Sequence, residues 1–431
     1  MFYRNDVVAR ALVFSVGVLF YLTMTTAVVA QTFKVMHTFE GGNTDGANPQ
    51  AMLIADKSGN LYSTTEFGGV NQMGTVYSLS SGGAYNVLYQ FLDYPDGARP
   101  LAPLVEDNSG NLYGTTYIGG LECVPESDTY CGTLYKLDAA GNESVIYRFE
   151  GSPDGANPEA GLIGDADGNL YGTTVFGGAT GDGMVFEIDA SGNEHVLYNF
   201  KGNSDGYAPY GPIVVDASGD IYGTTALGGG VPSCGTPYSN GCGTVFKLKH
   251  TAKGWKESVL HRFRNSDGWS PNGLYLDRNT NSLYGMAEFG GGKPDNCIYS
   301  TTKTGCGVLF KLSDNGTGFT VLYRFSGKTD GGLPFDTVTM DDSGNLYGTT
   351  SIGGDLSCNS LGCGTVIELS AAKKLTVLHT FTGGSDGATP VGSLVLLNNR
   401  LYGTASIGGD NSCQTQEEGG PGCGTLFKLT P

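Results

Sequence analysis

Seven copies of one repeat, each built from short β-type runs, predict an all-β fold for this chain of 431 residues. Three observations support the prediction. A Leu/Ile-Tyr-Gly/Ser step recurs every 51 to 63 residues, each run is bounded by Gly, Asn, Asp or Pro, and the repeats show no helical periodicity. The tyrosines of this step are Tyr62, Tyr113, Tyr171, Tyr222, Tyr284, Tyr347 and Tyr402.

The unit at 338–381 gives the order of the elements. Strand a is VTMDDSG (338–344), strand b is NLYGTT (345–350), strand c is GTVIEL (364–369) and strand d is TVLHTF (376–381). Four antiparallel strands repeated at about 50 residues are typical of a β-propeller blade, whereas the coils of a parallel β-helix are shorter and lack hairpin turns. We therefore predict a seven-bladed β-propeller of four-stranded antiparallel blades.

Strand b is the most regular phrase of the repeat, yet it carries almost no reactive side chains. We interpret it as a packing element whose two faces are both buried between neighbouring blades. On this interpretation Gly348 leaves room for the next sheet, while Tyr347 and the threonines fill space and satisfy their hydroxyl groups.

The two ends of the repeat array are complementary. The first element after the N-terminal segment, FKVMHTF (33–39), is a d strand, and the last, GTLFKL (424–429), is a c strand. We predict that the N-terminal strand completes the final blade and closes the ring, which leaves no open sheet edge. The whole of 31–431 then forms a single propeller domain.

The N-terminal segment has the pattern of an export signal. Arg4 and Arg10 precede an apolar run that ends in small residues at Ala30. This pattern predicts a signal peptide over 1–30 with cleavage before Gln31, and an uncleaved N-terminal anchor is the alternative. We expect a secreted protein, extracellular or periplasmic, that is free of the membrane after cleavage and able to form disulfides.

The charge of the chain limits its partners. A formal net charge of −18 and a pI near 4.6 argue against a nucleic-acid partner, which requires a basic face. The same charge disfavours acidic polysaccharides and anionic membranes. We expect a monomer whose partner is a neutral polysaccharide or another surface protein.

All ten cysteines lie between strands b and c, and the two b–c loops without cysteine are the two short ones. A zinc site would need clustered cysteines or histidine partners, and these loops contain no histidine. The pattern predicts one local disulfide in each long loop. The pairs are Cys123–Cys131, Cys234–Cys242, Cys297–Cys306, Cys358–Cys363 and Cys413–Cys423.

The d–a and b–c connections of an antiparallel blade emerge at the same end, so one face collects every long loop and every Asp-Gly-x-x-Pro segment. Function in propellers is expected on such a face. Three consecutive copies of this segment are aromatic, and we expect Tyr207, Tyr210, Trp269 and Phe335 to form an exposed ligand-binding cluster at the pore mouth. The alternative is that these rings pack beneath the cysteine loops.

Three carboxylates on the same face are candidate catalytic residues. Glu66 and Glu288 share the position three residues after the Gly or Ser of strand b, and Glu159 lies one blade before the aromatic set. Two carboxylates at a pore can serve as acid and base in glycoside hydrolysis.

Other motifs carry little chemistry. GNSDG (202–206) and GGSDG (383–387) match a nucleophile pattern but lack its strand-turn-helix context and a histidine. GDADGN (164–169) resembles the start of a calcium loop but is a hairpin turn without the distal glutamate. We expect no metal and no cofactor, with calcium as the one alternative.

The phrases LYGTTxxGG, GTVFKL and VLYxF resemble the GloVer tandem repeat of secreted bacterial choice-of-anchor proteins, over essentially all of 33–429. The resemblance implies an exported bacterial protein with a propeller-like fold, and it brings no established activity. We therefore expect a non-catalytic binding or structural module, with a carbohydrate-active enzyme, a glycoside hydrolase or lyase, as the alternative.

Overall fold

The computed structural model describes residues 31–120, 122–124, 127–230, 234, 241–292, 297–299, 302–303, 305–358, 360–410, 412–413 and 421–431. The predicted signal segment 1–30 lies outside the described residues and stays a prediction. Within the described part, no helix has the length and apolar character needed to cross a membrane.

The described residues form a seven-bladed β-propeller of four-stranded antiparallel blades, which confirms the predicted fold; the sheet of blade 5 carries one additional short strand. In each blade the strands follow the order a, b, c, d. Blades 1 to 3 are Ile54–Ala55, Leu61–Thr65, Thr75–Leu79, Tyr85–Gln90; Val105–Glu106, Leu112–Thr116, Thr133–Leu137, Glu143–Arg148; and Ile163–Gly164, Leu170–Thr174, Met184–Ile188, Glu194–Asn199. Blades 4 and 5 are Val214–Val215, Ile221–Thr225, Thr244–Thr251, Gly254–Arg262; and Tyr275–Asp277, Ser282–Phe289, Val308–Ser313, Thr320–Arg324. Blades 6 and 7 are Thr339–Met340, Leu346–Thr350, Thr365–Leu369, Leu375–Thr380; and Val395–Leu397, Arg400–Ala405, Thr425–Thr430, Thr32–Thr38.

Short strands outside the blades belong to the connecting loops. Trp269–Pro271 pairs with strand b of blade 5, and the other short strands form two-stranded ladders. These ladders are Gly46–Ala47 with Phe67–Gly68, Gly155–Ala156 with Phe176–Gly177, Glu122–Val124 with Ser127–Tyr130, and Ile298–Tyr299 with Thr302–Lys303.

The N-terminal strand closes the ring as predicted. Thr32–Thr38 pairs antiparallel with Thr425–Thr430 and is the outer strand of blade 7. Phe33 stacks on His379 of blade 6 with ring centroids 3.6 Å apart, and Phe39 is fully buried. The closing strand thus supplies backbone hydrogen bonds to one blade and side-chain contacts to the neighbouring ones.

The glycine of strand b makes room mainly for its own sheet. A Cβ on Gly223 would lie 2.5 Å from the ring of Phe246, its cross-strand partner in strand c, and Gly172 has the same relation to Phe186. Gly348 matches our interpretation, since its nearest neighbour is Met286 of the preceding blade. The expectation that this glycine generally accommodates the next sheet was therefore too broad.

The first threonine of strand b links neighbouring blades. Thr64 donates its hydroxyl to the carbonyl of Pro100 at 2.7 Å, and Thr115 and Thr173 donate in the same way to the carbonyls of Pro158 and Pro209. Each acceptor belongs to the Asp-Gly-x-x-Pro loop that leads into the next blade. The repeated phrase therefore fixes the loop that borders the central channel.

The aspartate of each Asp-Gly-x-x-Pro loop is a cap. Asp154, for example, accepts hydrogen bonds from the Glu150 amide at 2.8 Å and from the Tyr147 hydroxyl at 3.2 Å. In three of the loops a histidine replaces that tyrosine and stacks on an aromatic ring of the following blade. These histidines lie 3.1 to 3.3 Å from their aspartates and are His37, His261 and His379.

Where strand d carries a tyrosine, this tyrosine and the loop aspartate form a hydrogen-bonded pair. In three interfaces a glutamate of the next blade packs against that pair. Glu143, Glu194 and Glu257 face Asp96, Asp154 and Asp205, and burial together with these aspartates raises the pKa of each glutamate. One carboxyl oxygen of each glutamate is buried without a hydrogen-bond partner in the described part of the chain. Protonation of the glutamate relieves the repulsion within each such pair.

Deleting residues 31–40 removes the closing strand together with Phe39, and it exposes the edge of strand 425–430. We expect the shortened chain to aggregate or to lose its cooperative thermal transition, measured by circular dichroism and light scattering. A synthetic 31–40 peptide should restore the transition by pairing with the open edge. An unchanged melting temperature without the peptide would show that the ring does not need this strand.

Glu194 makes the stability depend on pH. Its pKa is raised to about 8 by burial and by Asp154, so the folded chain binds this proton more tightly than the unfolded chain does. The stabilisation of the folded chain by this protonated carboxyl is fully present below about pH 5, and it is lost as the pH rises through about 8. Glu194→Gln keeps the neutral state, and we expect it to add roughly 1–2 kcal/mol at pH 9 after allowance for solvent screening.

Chemical denaturation at pH 5 and pH 9 measures the gain, and Glu40→Gln, an exposed glutamate, is the control. A gain of equal size at both pH values would contradict the assignment.

Candidate ligand site at the channel mouth

The residue before proline in every Asp-Gly-x-x-Pro loop has a left-handed backbone, with φ between 51° and 57°. Its carbonyl oxygen accepts a hydrogen bond from the backbone N–H of the residue that follows strand b. The Glu66 amide donates to the Asn48 carbonyl at 3.1 Å, and the Tyr117 amide donates to the Arg99 carbonyl at 3.0 Å. This conformation is costly for side chains other than glycine and persists only where the surroundings enforce it. The seven residues are Asn48, Arg99, Asn157, Ala208, Ser270, Leu333 and Thr389.

The bend directs the residue after the proline into the central channel. All seven equivalents of this position line one cavity of about 90 Å³. They are Gln50, Leu101, Glu159, Tyr210, Asn272, Phe335 and Val391. We name this set the channel ring; each blade contributes one member, so the repeat builds the site and the variable residue sets its chemistry.

Glu159 is the acidic member of the channel ring. Glu159 is half-buried and lines the cavity, and its carboxyl has no hydrogen-bond or ionic partner in the described part of the chain. Burial and the nearby charge of Glu66 raise the pKa of Glu159 to about 7. A carboxyl group in such surroundings can hold or release a proton near neutral pH.

Glu66 directly follows strand b of blade 1, and Glu288 is the last residue but one of strand b in blade 5. The Asn48 side-chain amide donates to Glu66 at 2.9 Å, and the Gln50 amide nitrogen donates to the same oxygen. Burial raises the pKa of Glu288 to about 8, with a hydrogen bond from the Ser270 side chain opposing the shift. The structure thus brings two of the three candidate carboxylates close together, Glu66 and Glu159.

Two of the four candidate aromatic residues belong to the channel ring. Phe335 is 39% exposed, and the pKa of Tyr210 is raised to about 12 by burial and next by the charge of Glu159. Tyr207 is half-buried, near Tyr210 and Asp182, and it does not line the cavity. The aromatic cluster is therefore smaller than predicted.

Trp269 is buried, and the expectation that it is exposed was wrong. Its side chain is 7% exposed and packs 4.9 Å from Phe289, in the same hydrophobic cluster as Cys234 and Cys242. Trp269 occupies the second position after the loop aspartate, where Ala47 and Ala98 are also buried. That position points back beneath the b–c loop, so the alternative of aromatic packing under a cysteine loop holds for this residue.

Sequence analysis missed Gln50, Asn272 and Asp336, which line the same cavity. The signal that could have found the first two is their shared position directly after the loop proline. Asp336 accepts the backbone amides of Thr337 at 2.7 Å and Ser393 at 2.9 Å, so its carboxylate links neighbouring blades.

The disulfides stabilise the loops around this site. Four of the five predicted pairs are confirmed: Cys234–Cys242, Cys297–Cys306, Cys358–Cys363 and Cys413–Cys423. Cys131 is also disulfide-bonded, and the side chain of Cys123 lies outside the described residues. A Cβ on Gly327 would lie 2.5 Å from the sulfur of Cys297, so this disulfide packs directly on the adjacent d–a loop.

The aspartate carboxylate of the calcium-like turn is occupied by hydrogen bonds from the same hairpin. Asp165 accepts the backbone amides of Asp167 and Asn169, each at 2.9 Å, and the Tyr171 hydroxyl at 3.1 Å. Across the described ranges, no group of three or more His, Cys, Asp or Glu side chains is arranged to hold a metal ion.

The repeat in this chain matches a known protein family. The model of the Gloeobacter/Verrucomicrobia repeat fits residues 7–238, 123–302 and 233–431, which together span nearly the whole chain. The chain belongs to this repeat family. Membership confirms the resemblance found in the sequence. No curated protein matches the chain.

One solved structure shares the fold of this family member, and two others are similar to a lesser degree. The extracellular domain of a protein described as a one-component system of B. thetaiotaomicron aligns with a TM-score of 0.52 at 10% identity, covering 91% of this chain and 40% of that one. A protein of Bacteroides uniformis described as a 6-phosphogluconolactonase gives 0.48 at 14% identity, covering 78% and 86%. A gluconolactonase of Xanthomonas campestris gives 0.40 at 16% identity, covering 75% and 82%. At these identities the likeness concerns the fold alone.

Trp269→Ala separates the packing role of this residue from a surface role. Because the side chain is buried against Phe289, we expect the change to lower the unfolding free energy by about 3–5 kcal/mol, as for other buried Trp→Ala changes. Thermal and chemical denaturation measure the loss. Phe335→Ala is the matched control, and its partly exposed ring should cost less. A stable Trp269→Ala variant would contradict the buried packing.

Proposed function

We propose that this propeller binds the end of a glycan chain at the channel mouth, on its loop-rich face. The observation that carries the proposal is the composition of the channel ring. Tyr210 and Phe335 offer aromatic surface to the C–H faces of a sugar, while Gln50, Asn272 and Glu159 offer hydrogen-bonding groups beside them. A concave site with aromatic lining and a few convergent polar groups is the usual form of a small-ligand site.

The setting of the site agrees with a glycan partner. The net charge of −18 repels acidic polysaccharides, and the sequence alone therefore favours an uncharged glycan. The confirmed disulfides are consistent with an extracellular location, where such glycans are found. We propose a secreted binding module on this basis. Another surface protein is the remaining partner class, and the binding assay below distinguishes it.

Glycoside hydrolysis is a second candidate function. Burial raises the pKa of Glu159 to about 7, and the neighbouring Glu66 accepts hydrogen bonds from Asn48 and Gln50. Two carboxyl groups in different surroundings serve as acid and base in glycosidases. In this candidate Glu159 is the proton donor and Glu66 the carboxylate partner.

Tyr210→Ala and Phe335→Ala test glycan binding. We expect each to weaken binding of uncharged oligosaccharides by about 1 kcal/mol, the scale of one aromatic contact, measured by isothermal titration calorimetry on the chain from residue 31. Tyr94→Ala is the matched control, because Tyr94 is 58% exposed and does not line the cavity.

Equal affinities for all three variants would place any binding elsewhere on the surface. Capture of a purified surface protein without any oligosaccharide binding would replace the glycan proposal. Release of new reducing ends that is abolished by both Glu66→Gln and Glu159→Gln would instead establish hydrolysis.

A further inference from the structure

The channel cavity is narrow, with a volume of about 90 Å³. A glycan bound at the mouth can direct a substituent of its terminal sugar into this space. The nature of that substituent follows from the charge of the walls.

The cavity walls hold two carboxyl groups. Glu159 and Asp336 line it, and no lysine or arginine is among its described lining residues. The two carboxyl groups differ in their surroundings. Asp336 accepts two backbone amides, whereas Glu159 faces the space and has no partner in the described part of the chain. An enclosed carboxyl group without a partner is costly unless a ligand or a proton neutralises it.

Neutral acceptors stand beside Glu159. The amide nitrogen of Gln50 donates to Glu66, so the Gln50 carbonyl oxygen remains an acceptor for a ligand, and Asn272 supplies a second amide. Tyr210 adds an aromatic ring. A primary ammonium group has three N–H donors and no acceptor, and it interacts favourably with carboxylates, amide oxygens and aromatic faces.

We infer that the cavity binds the protonated primary amine of an amino sugar at the end of a glycan, with Glu159 as its ionic partner. This inference rests on the proposed function and gives it a substrate class. The raised pKa of Glu159 agrees with it, since a bound cation would stabilise the charged carboxylate that burial disfavours. The inference also refines the sequence expectation, because it replaces a fully uncharged glycan with one that bears a cationic end.

The test compares two oligosaccharide series with one backbone, glucosamine oligomers and N-acetylglucosamine oligomers of equal length, by isothermal titration calorimetry. We expect the amine series to bind about ten-fold more tightly, the effect of one charge-assisted contact. Glu159→Gln should remove this advantage and leave the affinity for the N-acetyl series within about two-fold. Glu150→Gln, the same change at an exposed glutamate at the start of the same loop, should leave both affinities unchanged.

The outcomes separate this inference from the proposed function. Equal affinities for the two series overturn the ammonium site and leave glycan binding intact. Binding of methylammonium that depends on Glu159, without binding of either oligosaccharide, supports the ammonium site and overturns the glycan function. Absence of binding by all three probes overturns both. Thermal denaturation of each variant confirms that a lost affinity does not reflect a lost fold.

Discussion

The Asp-Gly-x-x-Pro loop is the constraint on which the rest of this propeller depends. Its aspartate accepts the backbone amide at the start of the loop and the tyrosine or histidine of strand d, as Asp154 does. Its proline carbonyl accepts a threonine hydroxyl from the preceding blade, as Pro100 does from Thr64. The left-handed residue between them then turns the chain toward the axis. One short loop thus ends a blade, links it to its neighbour and presents a side chain to the channel.

In this arrangement the residues that maintain the fold are different from the residues that determine the chemistry of the site. The capping aspartate and the left-handed residue recur in every blade, so they cannot distinguish one ligand from another. The residue after the proline is free to vary because its side chain contacts the cavity and not the sheet. Seven such positions converge on one small volume, and a single substitution among them changes the charge or shape of the site without disturbing a strand. The presence of Glu159 in the same ring as the apolar Leu101 and Val391 is an example.

The contacts between blades cover the polar ring of strand d in two different ways. Every d strand brings a polar ring to the loop aspartate, and the next blade must cover that pair. Where the ring is a histidine, an aromatic side chain stacks on it at 3.6 Å. Where the ring is a tyrosine, the cover is a glutamate in three interfaces, which pairs with the aspartate most favourably when protonated. The covering side chain therefore correlates with whether the ring can carry positive charge.

The sequence by itself determined the blades, their order, the ring closure and four local disulfides, because these depend on period, strand propensity and loop length, which are local properties of the chain. It also identified Glu66, Glu159, Tyr210 and Phe335 as candidates. Only the tertiary structure decided which aromatic residues face the channel. Trp269 and Phe335 occupy different positions of equivalent loops in successive blades, and the left-handed turn between those positions sends one under the cysteine loop and the other to the axis. Likewise the nearness of Glu159 to Glu66, two blades away along the chain, arises from the convergence of all seven loops on the axis, and no local pattern encodes that distance.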